Sequence, residues 1–266
     1  MPRASVGDIS IYYEVHGEGD PLLLIMGLGS DLAGWMLQIP VFSRKYRVIA
    51  FDNRGAGQTD APVVPYSIAM MADDTVGLMD VLGIEKAHVL GKSMGGYIAQ
   101  ELAIRHPERV KSLMLASTSA GPYVLETNIL NAWAAAAMEG ISQKAFFQVM
   151  LPFIFTDKTF ENPEMVQMAL ATIAANPYPT QDHALVHQFS ACVEHYARGR
   201  ISRITAPTLI LAGKDDFFLP LTLSEELATI IPNANLVVLE GGGHALNSDV
   251  PDRFNQAVLE FLAQIA

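Results

Sequence analysis

The sequence predicts a doubly wound α/β sheet, mostly parallel, with helices on both faces and a helical block inserted late in the chain. Three observations lead there. Short apolar runs rich in β-branched residues recur without polar alternation, helical patterns separate them, and between about residues 122 and 200 the alternation gives way to helical segments alone. Continuous apolar runs suit strands buried on both faces of a parallel sheet. Strand–helix alternation with short connections is what builds the doubly wound class.

Taken in order, "ISIYYEV" (9–15) alternates like a strand, and Gly7-Asp8 ahead of it reads as a hairpin turn. "PLLLIM" (21–26), "YRVIAF" (46–51) and "AHVL" (87–90) are continuous runs ending at Gly27, Asp52 and Gly91. "KSLMLAS" (111–117), "PTLILAG" (207–213) and "NLVVLEG" (235–241) follow. Between them, residues 67–82 carry Ile68, Met71, Val76, Met79 and Leu82 at helical spacing. Residues 94–106 stop at Pro107, 222–231 precede Pro232, and 249–265 close the chain. In the inserted block, segments 129–138, 163–175 and 182–196 read as helices joined by Pro-containing links. The expected organisation is a core of residues 1–121 and 201–266 with a helical cap, 122–200, over the C-terminal edge of the sheet, where open α/β sheets bind ligands.

Composition narrows the function. The chain has 266 residues, half of them hydrophobic, and a formal net charge of −11 with no Lys/Arg cluster. Nucleic acid and anionic membrane surfaces both need a basic face, so neither is an expected partner. No apolar stretch approaches the roughly 20 residues of a membrane span. Cys192 is the only cysteine, which forbids an intrachain disulfide, and the first residues lack a secretion signal's apolar core. The expected location is the cytoplasm. His183 and His187 have i, i+4 spacing, but no carboxylate lies between them as in a zinc-protease helix, so no metal and no cofactor is expected.

Gly91-Lys92-Ser93-Met94-Gly95 matches G-x-S-x-G after an expected strand and at the start of an expected helix. A serine hydroxyl is a poor nucleophile at neutral pH and needs a base. His244 follows three glycines on a loop directly after a late strand run, which suits a delivered imidazole. The imidazole in turn needs a carboxylate to fix its tautomer and stabilise its cation. Asp215 and Asp216 both lie just past the strand at 207–213, and adjacent residues cannot both face one histidine. Position alone leaves the two open. Two amides complete the set as an oxyanion hole: Met94 after the nucleophile and Leu28 in the glycine loop "MGLGSD" (26–31). Met26, Gly27 and Trp133 are candidate substrate-binding residues.

These motifs, with "FDNRGAGQTD" (51–60), "HPERVKSLML" (106–115), "APTLILAGKDD" (206–216) and "GGGH" (241–244), resemble the α/β-hydrolase fold superfamily over nearly the whole chain. "GLGSDLAGW" (27–35), "DNRGAGQTDAP" (52–62) and "PYSI" (65–68) are most similar to 3-oxoadipate enol-lactonases and related esterases. The resemblance implies a triad acid three residues after the strand-end glycine, which selects Asp216. Two departures stand out: Met26-Gly27 where many relatives have His-Gly, and Lys92 beside the nucleophile, whose ammonium is expected to pair with an acid behind the strand. Because the inserted block is poor in bases and rich in apolar groups, the expectation is a serine hydrolase for a neutral ester or lactone. Alternatives are a C–C bond hydrolase of a meta-cleavage type diketone, which uses the same triad, and a triad-bearing ligand sensor. Aspartate-nucleophile chemistries are disfavoured by Ser93. Oligomeric state is not written in the sequence.

Overall fold

The computed structural model describes residues 2–265, with side chains for all but Gln143, Met165, Met168, Ala169, Thr172 and Ile173. Eight strands form one sheet: β1 (Arg3–Val6), β2 (Ile9–His16), β3 (Asp20–Ile25), β4 (Tyr46–Phe51), β5 (Ala87–Lys92), β6 (Val110–Ala116), β7 (Thr208–Gly213) and β8 (Ala234–Leu239). Their spatial order is β1-β2-β4-β3-β5-β6-β7-β8. The first two strands make an antiparallel hairpin through Gly7 at φ +52°, and β2 pairs antiparallel with β4. Every pairing from β4 onward is parallel.

The helices are α1 (Ile39–Phe42), α2 (Ile68–Val81), α3 (Met94–Arg105), α4 (Val124–Met138), α5 (Gln143–Ile154), α6 (Asp157–Phe160), α7 (Pro163–Ala174), α8 (Asp182–Glu194), α9 (Leu221–Ile230), α10 (Leu246–Asp249) and α11 (Pro251–Leu262). The sheet divides its apolar residues by the two-residue period of a strand. Leu23, Ile25, Val89, Leu113 and Leu115 join the core under α2, α3 and α9. Leu22, Leu24, Leu90, Met114 and Ala116 join the core under α1 and α11. This double cover explains why the central runs lack polar alternation. Ser67 caps α2 by accepting the Met70 N–H at 3.1 Å, and α3 ends ahead of Pro107.

The chain moves from β3 to β4 on one side, then returns to place β5 on the other side of β3. That reversal makes a crevice at the carboxyl ends of β3 and β5, the usual ligand position in open sheets. Helices α4–α8 fall between β6 and β7 in the chain. The two ends of this segment are pinned together, because the Ala197 N–H donates to the Ala120 carbonyl at 2.9 Å. Among the described residues, no helix is long and apolar enough to cross a membrane.

Candidate active site

The crevice is built first by backbone. Ser93 follows β5 with φ +55° and ψ −123°, a conformation that costs a non-glycine residue about 1–3 kcal/mol. Its surroundings hold it there. The Ser93 N–H donates to the Ala116 carbonyl at 2.9 Å, and the Ser93 carbonyl accepts from the Gly96 N–H at 2.8 Å and the Thr118 hydroxyl at 3.0 Å. The flanking glycines are required by close approach: a Cβ on Gly91 would run into the Gly95 carbonyl, and one on Gly95 into the Ile25 carbonyl. The turn therefore lifts the Ser93 side chain away from both the strand and the helix.

His244 reaches it from the loop after β8. Its Nε2 lies 3.0 Å from Ser93 Oγ, and its Nδ1 lies 3.1 Å from Asp216 Oδ2. The other Asp216 oxygen accepts the Leu219 N–H at 2.8 Å, so both carboxylate oxygens are engaged. Asp216 is buried, whereas its neighbour Asp215 is exposed. The histidine loop is itself braced. The Asp249 carboxylate accepts the Gly243 N–H at 2.9 Å and the Thr159 hydroxyl at 3.0 Å, and the Ala245 N–H donates to the Ile154 carbonyl at 3.0 Å. Phe218 sets its ring edge-on to the imidazole at 5.0 Å between centroids.

The glycine loop after β3 faces the same point. Asn53 fixes its start by donating to the Met26 carbonyl at 2.8 Å. Gln188 of α8 spans the next step: its side-chain oxygen accepts the Gly29 N–H at 2.8 Å and its side-chain NH2 donates to the Arg54 carbonyl at 2.9 Å. Below, buried Asp52 accepts the Leu32 and Gln58 N–H groups, each at 2.8 Å, and burial pushes its carboxyl up to about 6. Among the described residues, the Leu28 and Met94 amides donate to no protein acceptor.

A cavity of about 100 Å³ opens beside Ser93 and His244. Gly27, Leu28, Met94 and Trp133, all singled out in the sequence, are among the residues that line it. Met26 does not. Its side chain packs under Gly34 in the core on the other face of the sheet, because successive residues at a strand end point to opposite sides. Lys92 also departs from expectation. Among the described residues it makes no ion pair with an acid behind the strand; it is partly buried and borders the cavity. Burial lowers its ammonium to about 8, against the opposing pull of the Asp216 and Asp249 charges. The candidate histidines of α8 are occupied otherwise, His183 with the Ala61 carbonyl at 3.0 Å and His187 against the Tyr66 ring.

Sequence reasoning missed several wall residues. Phe218 stacks on the expected Trp133 at 5.4 Å, and Leu130, Met150 and Ile154 continue the apolar lining. It also missed Glu126, a buried carboxyl in the first turn of α4, which burial pushes up to about 7. Its standing as the one charged residue of α4 was the available signal.

A strained serine at the switch point, an imidazole on the loop after the last strand and a buried acid after the strand before it define a class. Residues 20–251 match the alpha/beta hydrolase fold family, and the chain belongs to it. It is a hydrolase of that fold. It is 32% identical to a putative carbamate hydrolase RutD of Azorhizobium caulinodans, the alignment covering 100% of this chain and 99% of that one. Among solved structures, it resembles the enol-lactonase from Burkholderia xenovorans at 30% identity and a TM-score of 0.91, over 98% of this chain and 100% of that one. It also resembles a thermophilic esterase from Thermogutta terrifontis at 27% identity and a TM-score of 0.89, over 100% and 99% of the two chains.

Proposed function

We propose that the protein is a serine hydrolase that opens a carboxylic ester or lactone through an acyl-enzyme. The observation that carries this reading is the Ser93–His244–Asp216 hydrogen-bond chain, at 3.0 and 3.1 Å. Its direction is set by the acid. Asp216 holds the Nδ1 proton of His244, leaving Nε2 as the acceptor that faces the serine hydroxyl. Ser93 Oγ attacks the substrate carbonyl carbon as its proton passes to His244 Nε2. The imidazolium that forms lies beside a carboxylate, which offsets its charge. The Leu28 and Met94 N–H groups receive the negative charge on the carbonyl oxygen, and each such donor contributes about 3–4 kcal/mol in the transition state.

His244 then gives the proton to the leaving alkoxide. The alcohol departs, or stays tethered when the substrate is a lactone. Water enters, loses a proton to His244 and hydrolyses the acyl-enzyme, and Ser93 recovers its proton. Residues 122–200 act as a cap in this reading, and the cavity under them suits a short acyl group. The names of the relatives fit the same machinery, since carbamates, enol-lactones and esters all present an sp2 carbonyl carbon to a nucleophile.

The test is release of p-nitrophenol from short-chain p-nitrophenyl esters in stopped flow. A burst matching the enzyme concentration, followed by a slower steady state, is the expected trace if deacylation is slow. S93A is expected to lose the activity by at least about 1,000-fold. An S93A protein that turns over at the wild-type rate would end the proposal.

A further inference from the structure

Glu126 is not needed for the chemistry above, yet it sits in the same cavity. Its residue is 2% exposed. Oε1 accepts a hydrogen bond from the Tyr97 hydroxyl at 2.9 Å, while Oε2 is buried and has no hydrogen-bond partner among the described residues. The Tyr123 N–H lies near enough to favour the ionised carboxyl but makes no hydrogen bond to Oε2. Ionisable or charged groups face it from each neighbouring element: Tyr97 on α3, Tyr123 ahead of α4, Cys192 on α8 and Asp216 after β7, with Lys92 and His244 across the same cavity.

Packing does not require this carboxyl. The Tyr97 hydroxyl has an alternative acceptor in reach, Ser119 Oγ at 2.8 Å, whose own proton goes to the Gly121 carbonyl at 2.9 Å. Replacing Glu126 with a hydrocarbon therefore leaves the Tyr97 hydroxyl with an acceptor. A buried carboxylate oxygen without a partner is a standing cost to the fold. The cost is offset when a bound molecule supplies the missing donor.

We propose that Glu126 is a specificity-determining residue: its unpartnered oxygen accepts a hydrogen bond from the acyl group, so the site selects small uncharged acyl groups bearing an N–H or O–H over hydrocarbon groups of the same shape. The proposal rests on the hydrolase reading above and names its substrate class. It disfavours an acyl chain ending in a carboxylate, which would bring one acid against another.

Two isosteric substrate pairs test it: p-nitrophenyl carbamate against acetate, and p-nitrophenyl glycolate against propionate. Each ratio of kcat/KM is divided by the ratio of the uncatalysed rates. Wild type is expected to favour the donor-bearing member by at least about tenfold in one pair, because a polar site left unpaired rejects the analogue. E126L is expected to lower that ratio by about ten- to a hundredfold, the worth of a hydrogen bond to a charged group, and to melt no lower than wild type. Both results are required. Unchanged ratios in both pairs, or an E126L protein that melts lower or does not fold, would overturn the proposal and leave the hydrolase reading intact. If wild type releases no more p-nitrophenol than S93A from any of the four esters, the hydrolase reading fails and takes this proposal with it.

Discussion

Replacing Asp216 with Asn changes one atom and should disable the site, for reasons that can be worked through. In the wild type, one Asp216 oxygen accepts the Leu219 N–H at 2.8 Å and the other faces His244 Nδ1 at 3.1 Å. An asparagine that keeps its oxygen on Leu219 must turn its NH2 toward Nδ1. His244 then carries its proton on Nε2, which faces Ser93 Oγ at 3.0 Å, and it can no longer accept the serine proton. Flipping the amide restores the tautomer but sets NH2 against the Leu219 N–H, a buried donor left unpaired at about 1–3 kcal/mol. In both orientations the negative charge beside the imidazolium is gone, worth about 4 kcal/mol for charges about 4 Å apart at an effective dielectric of about 20. Together these reach about 6 kcal/mol, or roughly 10,000-fold in rate. That matches the loss typical of this exchange in triad enzymes. Initial rates of p-nitrophenyl propionate hydrolysis measure it, with D215N as the control because Asp215 is exposed. D216N keeping more than about a tenth of wild-type kcat/KM, or D215N being the disabled variant, would refute the reasoning.

Three other perturbations follow from the packing. Gly95→Ala puts a methyl into the Ile25 carbonyl and should displace β3 from α3; urea denaturation should show a loss of about 1–3 kcal/mol or more, as overpacking does. Gln188→Leu strips the Gly29 N–H and the Arg54 carbonyl of their partners; a stability loss of roughly 2 kcal/mol is expected, with a raised KM from a loosened glycine loop, and a loss under about 0.5 kcal/mol would contradict the bridging role. The stability difference between E126L and wild type should depend on pH. Burial raises the Glu126 carboxyl from 4.5 to about 7 in the folded protein, so its favourable contribution is complete below 4.5 and is lost as pH rises to about 7. Leucine has no such loss, so thermal melts should show the E126L advantage growing between pH 4.5 and 7, by at most about 3 kcal/mol, and level above that. A flat difference would mean that Glu126 does not titrate there.

The fold was legible because the sheet's burial is written as composition. A run such as Leu22–Ile25, with every residue fully buried, reads as a two-faced strand whatever its neighbours are. Ser93 and His244 were legible for a related reason: each stands at a strand end beside glycines that serve close approach. Chain position took the acid only to a choice of two, and the family resemblance alone pointed to Asp216, because burial separates it from Asp215 and burial is not a property of chain position. Contacts between distant segments were out of reach. Gln188 meets a loop 159 residues earlier, and nothing in the local pattern of α8 marks it for that task. Met26 was misjudged because the sheet still imposes its alternation one residue past β3, sending that side chain to the far core. Lys92 was misjudged because no local rule says whether a strand-end lysine meets an acid or a cavity.

Labelling the enzyme with a fluorophosphonate, which reacts with activated serines, tests the central claim most directly, read by intact-protein and peptide mass spectrometry. A single adduct on the peptide bearing Ser93 is expected, absent in S93A and strongly slowed in H244A. An adduct on another residue, or none under conditions where wild type hydrolyses an ester, would contradict an activated Ser93.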